Sequence, residues 1–395
     1  MSSTPLRILT VANVPPDPNS GAAGTVFHTN VALRELGHVV EEIWDKDLGP
    51  RRIQHGNLHS WIEQPKLYRD VVLKAVASKE YDVIQMSQPQ AWLAAKELKQ
   101  RGFGGVVVNR SHGLELRVES VMPEWHRRLG VPESRFPRSL LTPVMKWLLS
   151  GQWPNAVKYH DAIVVPCEMD RDFLVSSIPE AANKTYMIHH GVGAEFVDVP
   201  PRALDESRLR KILYVGQFSF IKGFHILAEV LNRTLAAQDD VSCTWITAEA
   251  GHAAIRELLS EQVRTRVQLS GWRPHEELRS LYDEHGVFVF PSFFEGAGKA
   301  SLEALARHMY VVASDTGAMR DYIAPTQAGS LCEVGNVGDF VQSLELAWSN
   351  PAEAMRRAEA GRAVAVEKSW QRCAENLTAM YRTVLDQKAK HRKVS

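Results

Sequence analysis

Two glutamates, Glu295 and Glu303, stand eight residues apart around a glycine-rich turn in the second half of the chain. A predicted buried strand precedes the turn, and a predicted helix opens after it near Lys299. The free N–H groups and the dipole at the start of a helix attract anions, and Gly296 and Gly298 let the backbone approach a bound group closely. The turn is therefore predicted to bind a phosphate ester.

The two carboxylates would bind the groups attached to that phosphate. A helical side chain leans back toward the N-terminus of its helix, so Glu303 is expected to accept hydrogen bonds from paired ribose hydroxyls. Glu295, in the turn, is expected to bind hydroxyls beyond the phosphates. The spacing itself is uninformative, because Glu249 and Glu257 share it. The strand, the glycines and the helix around the pair predict a pocket for a nucleotide diphosphate carrying a sugar.

Two other phosphate-binding motifs fit this segment less well. The run GAGKAS at 296–301 resembles the dinucleotide fingerprint, but an aromatic loop separates it from the strand where a tight turn is required. A P-loop would need glycine in place of Phe293 and a hydroxyl side chain in place of Ala300. An ordinary strand–loop–helix connection without a ligand remains the alternative.

The segment 286–308 resembles the glutamate-x7-glutamate signature of retaining glycosyltransferases of the family 4 type. Two further blocks, Ile212–Leu227 and Val311–Ile323, resemble the same family. The resemblance implies the GT-B architecture, an α/β fold in which two Rossmann-like domains face each other across a cleft. It also implies a hexosyltransferase-type enzyme that uses a nucleotide diphosphate sugar as co-substrate and has no separate cofactor.

One phosphate-binding cation of this family is missing. The family usually has Arg at the position of Gln217, which follows Gly216, and Lys at the position of Lys222. Lys222 would act as a point charge on the departing diphosphate, whereas glutamine has neither the charge nor the bidentate geometry of a guanidinium. Our hypothesis is that Lys299, where the family more often has an apolar residue, restores the lost charge; a solvated surface lysine is the alternative.

Two features of the first half resemble parts of the family that face the donor and the acceptor. A first strand is followed by a loop containing Gly21 and Gly24 and by a helix predicted from about Thr25, although a flexible surface loop explains the glycines equally well. His112 follows a later strand, at the sheet edge where open α/β sheets bind ligands. It resembles the histidine that approaches the transferred sugar, and Arg110 is a weaker candidate of the same kind.

The loop LSGWRP at 269–274 resembles the family's loop that meets the nucleotide base, which makes its glycine and tryptophan candidate base neighbours, although a tryptophan is more often a core residue. The residues expected to contact the donor are Gly21, Gly24, Gly216, Gln217, Lys222, Gly271, Trp272, Glu295, Gly296, Ala297, Gly298, Lys299 and Glu303. Catalytic roles are expected for His112, Glu295 and Lys222.

The resemblance implies a front-face mechanism with retention, in which the acceptor hydroxyl loses its proton to the departing diphosphate. The protein would position the substrates and stabilise the leaving group. One rival is a nucleotide-sugar-binding protein that has lost catalysis, favoured by Gln217 and by the run 247–250 in place of the family's Gly-Asp-Gly turn. Another is an epimerase or phosphorylase on the same architecture.

No metal site is predicted. The runs Asp45-Lys46-Asp47 and Asp170-Arg171-Asp172 match a D-x-D pattern without its usual context, so solvated carboxylates are expected. The four cysteines are far apart and contain no C-x-x-C pair, which indicates neither a disulfide framework nor zinc. The segment 119–159 mixes arginines with tryptophans and prolines. An acceptor-binding or membrane-surface patch is one interpretation, and a helical excursion with buried aromatics is the preferred one.

Length and composition fit a globular enzyme of two domains. The 395 residues are too many for one typical core. We expect an acceptor-side domain at 1–200 and a nucleotide-sugar-binding domain at 201–366. In the last segment, 367–395, a helix over about 370–388 is expected to cross back to the acceptor-side domain, and a frayed basic tail is expected to follow it.

The 46 basic and 46 acidic side chains balance, so the overall charge does not favour nucleic acid as a partner. No apolar run approaches the roughly 18 residues of a membrane span, and the first ten residues lack a secretory pattern. A cytoplasmic location is expected, with peripheral membrane contact left open. The donor base and sugar, a carbohydrate, lipid-linked or small-molecule acceptor, and the oligomeric state are also open.

Overall fold

The structure is a computed structural model that describes residues 4–134 and 138–394. The chain divides into two compact units. Unit 1 comprises Met1–His189 and Trp370–Ser395, and unit 2 comprises His190–Ser369. Within the described residues each unit is built on a six-stranded sheet whose neighbouring strands are all parallel. Most strands are buried apolar runs, as expected where helices cover both faces of a parallel sheet, whereas strands at the sheet edges are partly exposed.

The strands are β1 (Arg7–Val11), β2 (Val39–Ile43), β3 (Val83–Ser87), β4 (Val106–Arg110), β5 (Ala162–Val165) and β6 (Thr185–Met187) in unit 1, and β7 (Lys211–Val215), β8 (Ser242–Ile246), β9 (Val267–Ser270), β10 (Val287–Phe290), β11 (Tyr310–Ser314) and β12 (Ser330–Cys332) in unit 2. The α-helices are α1 (Ala22–Glu35), α2 (Gly56–Leu58), α3 (Gln64–Ser78), α4 (Trp92–Gln100), α5 (Glu115–Arg128), α6 (Arg138–Leu149), α7 (Gln152–Tyr159), α8 (Glu168–Ser177), α9 (Ala194–Val197), α10 (Glu206–Leu209), α11 (Phe224–Ala237), α12 (His252–Leu258), α13 (Glu261–Arg264), α14 (His275–Glu284), α15 (Lys299–Ala306), α16 (Ala318–Ile323), α17 (Val337–Ser349), α18 (Pro351–Val366) and α19 (Trp370–Val394).

Each sheet reverses its direction of winding at one point. The strand order is β2-β1-β3-β4-β5-β6 in unit 1 and β12-β11-β10-β7-β8-β9 in unit 2. The reversal therefore lies between β1 and β3 in unit 1 and between β7 and β10 in unit 2. Open α/β sheets bind ligands outside the carboxyl ends of their strands at such switch points. The topology thus gives each unit one favoured position for a ligand.

The last helix, α19, belongs to unit 1. The Tyr381 hydroxyl on this helix donates to Gln85 Oε1 over 2.7 Å, and Lys388 Nζ lies 2.7 Å from Asp161 Oδ2. The helix continues to Val394, so the prediction of a frayed tail after Lys388 is wrong for the described residues. The Lys388 ion pair explains part of the difference, because it ties the end of the predicted helix to the sheet.

The segment 119–159 is mostly helical over its described residues, in α5, α6 and α7. Trp153 is buried at 4% exposure, but Trp147 is 74% exposed. The predicted helical excursion is therefore confirmed, and the expected burial of its aromatics is wrong at Trp147. Positions 135–137, which fall in this segment, lie outside the described residues. None of the helices in the described part of the chain has the length and apolar character needed to cross a membrane.

Candidate functional site

The candidate site lies at the switch point of unit 2. The loop after β7 carries Lys222 and the loop after β10 carries Glu295, so both follow the strands that flank this point. Lys222 Nζ lies 2.6 Å from Glu295 Oε2. The two side chains are only 20% and 12% exposed, so water screens the pair less than it screens a surface ion pair. The structure brings together two of the three residues predicted to be catalytic.

Backbone conformation shapes the turn before α15. Gly298 has φ +64° and lies just before the first residue of this helix. Gly317 has φ +60°, and a Cβ there would collide with the carbonyl oxygens of Glu295 and Gly296. The N–H group of Ala318 donates to that Gly296 oxygen over 2.8 Å. The loop after β11 is therefore packed directly on the turn, and two glycines permit this close approach.

Glu303 is buried in α15, with 4% of its surface exposed. The hydroxyl of Tyr282, on α14, donates to Glu303 Oε2 over 3.0 Å. Lys299 Nζ lies 3.8 Å from Glu303 Oε1. Burial raises the pKa of Glu303, while the charges of Lys299 and His275 lower it. Lys299 is itself only 15% exposed, so it is not a solvated surface lysine. Lys222 thus lies beside Glu295, and Lys299 lies beside Glu303.

The loop after β7 lacks a cation at its first positions. Gln217 is exposed there, and Gly216 packs on Tyr214, because a Cβ at Gly216 would collide with the Tyr214 hydroxyl. This hydroxyl is buried, and no described residue forms a hydrogen bond with it. Burial, followed by the charge of Glu295, raises the pKa of Tyr214. The loop therefore offers Lys222 as its cation, and β7 contributes the buried Tyr214 phenol, whose pKa the charge of Glu295 affects.

The predicted base neighbours follow β9, whose carboxyl end lies on the same edge of the sheet as that of β7. Gly271 packs on Glu249, whose Oε1 would be 3.1 Å from a Cβ at this position. Trp272 is 54% exposed, so it is not a core residue. An exposed aromatic ring at this edge is available to a planar ligand.

Other site candidates lie in unit 1. His112 follows β4, and its Nε2 lies 3.2 Å from Ser87 Oγ. Burial, and then the charge of Arg110, lower the pKa of His112 to about 3, so the imidazole is neutral near pH 7. Arg110 is 1% exposed and donates to Thr29 Oγ1 over 3.0 Å and to Cys373 Sγ over 3.4 Å. Arg110 is therefore buried within unit 1, and its role as a site residue stays a prediction.

The glycines of the first loop differ from the prediction. The helix α1 starts at Ala22, three residues earlier than expected, so Gly24 lies in its first turn instead of in the loop. The Gly24 N–H donates to the Ser20 oxygen over 3.2 Å. Gly21 precedes the helix, is exposed, and would meet no atom within 4 Å if it carried a Cβ. No described atom lies where a Gly21 side chain would begin, so the space beside Gly21 is open.

The D-x-D runs are not both solvated. Asp170 is completely buried, and its carboxylate accepts from Arg117 Nε over 2.6 Å and from the Leu114 N–H over 3.0 Å. The expectation of a solvated carboxylate is therefore wrong for Asp170. In the other run, Asp47 accepts from the Trp44 N–H over 3.0 Å at the start of a short 3₁₀ turn. Among the described side chains, no group of three or more His, Cys, Asp or Glu residues could hold a metal ion.

Sequence reasoning missed the two tyrosines beside the glutamates. Tyr214 stands far from the glycine-rich turn along the chain, and Tyr282 lies on α14, the helix before β10, so the pattern of the turn itself carried no signal for them. Ser292 was also missed, although it immediately precedes the aromatic part of the turn; its Oγ lies 3.4 Å from Glu295 Oε2.

Comparison with known proteins identifies the family of the second unit. Residues 201–364 match the family model described as Glycosyl transferases group 1. A glycogen synthase of Mycobacterium tuberculosis is 28% identical over 177 residues, which are 43% of this chain and 42% of that protein. The chain thus spans less than half the length of this relative.

Solved structures are similar over nearly the whole chain. A sucrose-phosphate synthase from Thermosynechococcus elongatus superposes with a TM-score of 0.72 at 18% identity, covering 96% of this chain and 100% of the other. The Anabaena protein HepE, solved in complex with UDP and glucose, superposes with a TM-score of 0.67 at 14% identity over 95% of this chain and 100% of the other. The predicted α/β GT-B fold is confirmed. The chain carries a group 1 glycosyltransferase domain at residues 201–364.

Proposed function

We propose that this protein is a metal-independent, retaining glycosyltransferase of the family 4 type that transfers a sugar from a nucleotide diphosphate sugar to an acceptor hydroxyl. The observation that carries the proposal is the Lys222–Glu295 pair beside the buried Glu303 at the start of α15. The complex of HepE with UDP and glucose supports the donor class. No separate cofactor takes part in this proposal.

The proposed chemistry exchanges one bond at the anomeric carbon. The bond from this carbon to the diphosphate oxygen breaks, and a bond to the acceptor oxygen forms on the same face. The acceptor proton passes to the departing diphosphate. The Lys222 ammonium has three donors, of which Glu295 takes one, so the others are available to the diphosphate. The N–H groups at the start of α15 add positive potential at the same place.

The remaining residues bind and orient the donor in this proposal. Glu303 accepts bonds from the ribose hydroxyls, and Tyr282 holds the Glu303 carboxylate in position. Glu295 and His112 orient the transferred sugar. Since the pKa of His112 is lowered to about 3, its neutral ring donates a hydrogen bond to a sugar oxygen without supplying a charge. Trp272 and Gly271 lie beside the base.

A donor and acceptor screen tests this proposal. The purified chain is incubated with UDP-, GDP- and ADP-sugars and a mixture of acceptors in EDTA, and the anomeric configuration of the product is read by proton NMR. The proposal expects transfer with retention and unchanged rates in EDTA. An inverted product contradicts the mechanism, and activity that is lost in EDTA and restored by manganese contradicts metal independence.

A nucleotide-sugar-binding protein without catalysis is the second candidate. The exposed Gln217 in place of a cation favours it, because this loop then offers less charge to a leaving diphosphate. Calorimetry with the donors separates the two candidates: binding without hydrolysis or transfer across the acceptor panel supports the binding protein.

A further inference from the structure

Unit 1 contains a polar cavity of about 630 Å³ at the switch point of its own sheet. Asn13 follows β1 and Gln88 follows β3, and both line the cavity. Val11 and Met86 are paired in these adjacent parallel strands, so the two lining residues extend from the same edge of the sheet. In its own sheet, the cavity occupies the position that the Lys222 and Glu295 loops occupy in the sheet of unit 2.

The cavity lining is rich in carboxamides. These side chains are Asn13, Asn57, Gln64, Gln88 and Gln90. A carboxamide donates through its NH₂ group and accepts through its oxygen, and a sugar hydroxyl also does both. Leu48 and Leu67 are the large apolar side chains of the described lining, which is too little apolar surface to hold an acyl or polyprenyl chain. The lining therefore fits a molecule covered with hydroxyls.

The protein holds Gln88 in an unfavourable backbone conformation at this cavity. Gln88 has φ +74°, which is uncommon for a residue other than glycine. Its backbone oxygen accepts from Asn109 Nδ2 over 2.7 Å, and its side-chain oxygen accepts from Gln64 Nε2 over 2.6 Å. Such conformations persist where the surrounding structure enforces them, and they concentrate at ligand sites.

Glu115 places a carboxylate in the same lining, at the first residue of α5. Its Oε2 atom is buried, and no described residue forms a hydrogen bond with it. A buried acceptor without a partner is costly, and a ligand hydroxyl would satisfy it. Asn57 is exposed at the same cavity, where its amide is accessible to a ligand.

We propose that this cavity binds the acceptor of the transfer reaction as a small polyhydroxylated molecule, a free sugar or a cyclitol, held by Glu115 and the carboxamides. The inference rests on the proposed function and specifies its acceptor class. Lys46 and Arg51 also line the cavity, so a phosphomonoester of such a polyol is a second source of the same hydroxyl chemistry.

Calorimetric titration of the full chain without donor tests this proposal. The probes are glucose, mannose, myo-inositol, their monophosphates, and a short polyprenyl phosphate. At least one polyol or its monophosphate is expected to bind, and Glu115→Gln and Asn57→Ala are each expected to weaken that binding about tenfold. Asn183→Ala, which changes an exposed carboxamide of unit 1 outside the cavity, is the matched control and is expected to leave the affinity unchanged.

The same samples are titrated with UDP, GDP and ADP, which separates the cavity proposal from the proposed donor function. Binding of the polyprenyl phosphate alone, no binding of any polyol probe, or polyol binding that survives Glu115→Gln and Asn57→Ala overturns the cavity proposal. Polyol binding that depends on these residues supports the cavity even if no nucleoside diphosphate binds, and that second result counts against the proposed donor function instead.

Discussion

Lys222 Nζ lies 2.6 Å from Glu295 Oε2, although the two residues are 73 positions apart and follow different strands. The pair exists because β7 and β10 are neighbours at the point where the sheet of unit 2 reverses its winding. In the proposed function, an ammonium held in this way is oriented before the diphosphate binds, so little reorganisation is needed when negative charge develops on the diphosphate.

This pairing predicts a coupled effect of two substitutions. Lys222→Met is expected to lower kcat about 100-fold, the size typical of losing one preorganised donor to a developing negative charge. Glu295→Gln is expected to lower kcat as well, because Lys222 loses its orienting partner. The double variant should lose less than the sum of the two barrier changes. Steady-state kinetics on the three variants checks this, and strict additivity would mean that the two residues act independently.

Substitution of Lys299 tests whether this residue replaces the positive charge that is missing at Gln217. Lys299 Nζ lies 3.8 Å from Glu303 Oε1 at the start of α15. If Lys299 compensates for the missing cation at Gln217, then Lys299→Met raises the donor KM and lowers kcat, and Gln217→Arg in that variant restores part of the loss. Unchanged turnover in Lys299→Met, with Lys222→Met inactive, would refute the hypothesis.

Glu303 is expected to reduce stability while supporting donor binding. Burial raises the pKa of Glu303 above its usual 4.5, so the folded protein binds this proton more tightly than the unfolded chain does, and the contribution of Glu303 to stability is lost as the pH rises through the folded-state pKa. Glu303→Gln should therefore unfold at a higher temperature than the unmodified protein at pH 8, and the gap should narrow toward pH 4.5. Thermal unfolding between pH 4.5 and pH 8 measures this difference in unfolding temperature, and the exposed Glu345→Gln is the control. A variant less stable at every pH would contradict the assignment.

Glu115, in unit 1, is expected to make the stability of the protein depend on pH. Burial, and then the charges of Asp170 and Glu119, raise the pKa of Glu115 to about 7 from 4.5. Between these two values the folded protein holds a proton that the unfolded chain releases, so the contribution of Glu115 to stability falls as the pH rises through this window. The unfolding temperature of the unmodified protein should fall relative to Glu115→Gln between about pH 4.5 and 7. A constant difference would contradict the prediction; Glu80→Gln, at an exposed site, is the control.

The sequence was sufficient where local patterns decide the structure. The buried strand predicted before the turn is β10, and α15 starts at Lys299 as predicted, because the buried run ends at Pro291 and the helix opens after Gly298. His308, two residues after α15, has φ +58°, a backbone conformation that glycine adopts without strain.

The sequence was insufficient where partners come from distant parts of the chain. Asp170 was expected in solvent, yet Arg117 and the Leu114 N–H bind it in the core. The Tyr282 contact with Glu303 depends on the packing of α14 beside α15, for which no local pattern exists. Such pairs are set by tertiary packing, which one sequence without its fold does not reveal.

The most direct test of the central claim is calorimetric titration of the full chain with UDP, GDP and ADP. The claim that the turn before α15 binds the diphosphate and the ribose predicts that one of these ligands binds. Glu303→Ala should weaken that binding about 10- to 100-fold, the range for losing hydrogen bonds to a charged group, while Glu345→Ala should leave it unchanged. Equal affinity in the Glu303→Ala variant, or no binding of any of the three ligands, would contradict the claim.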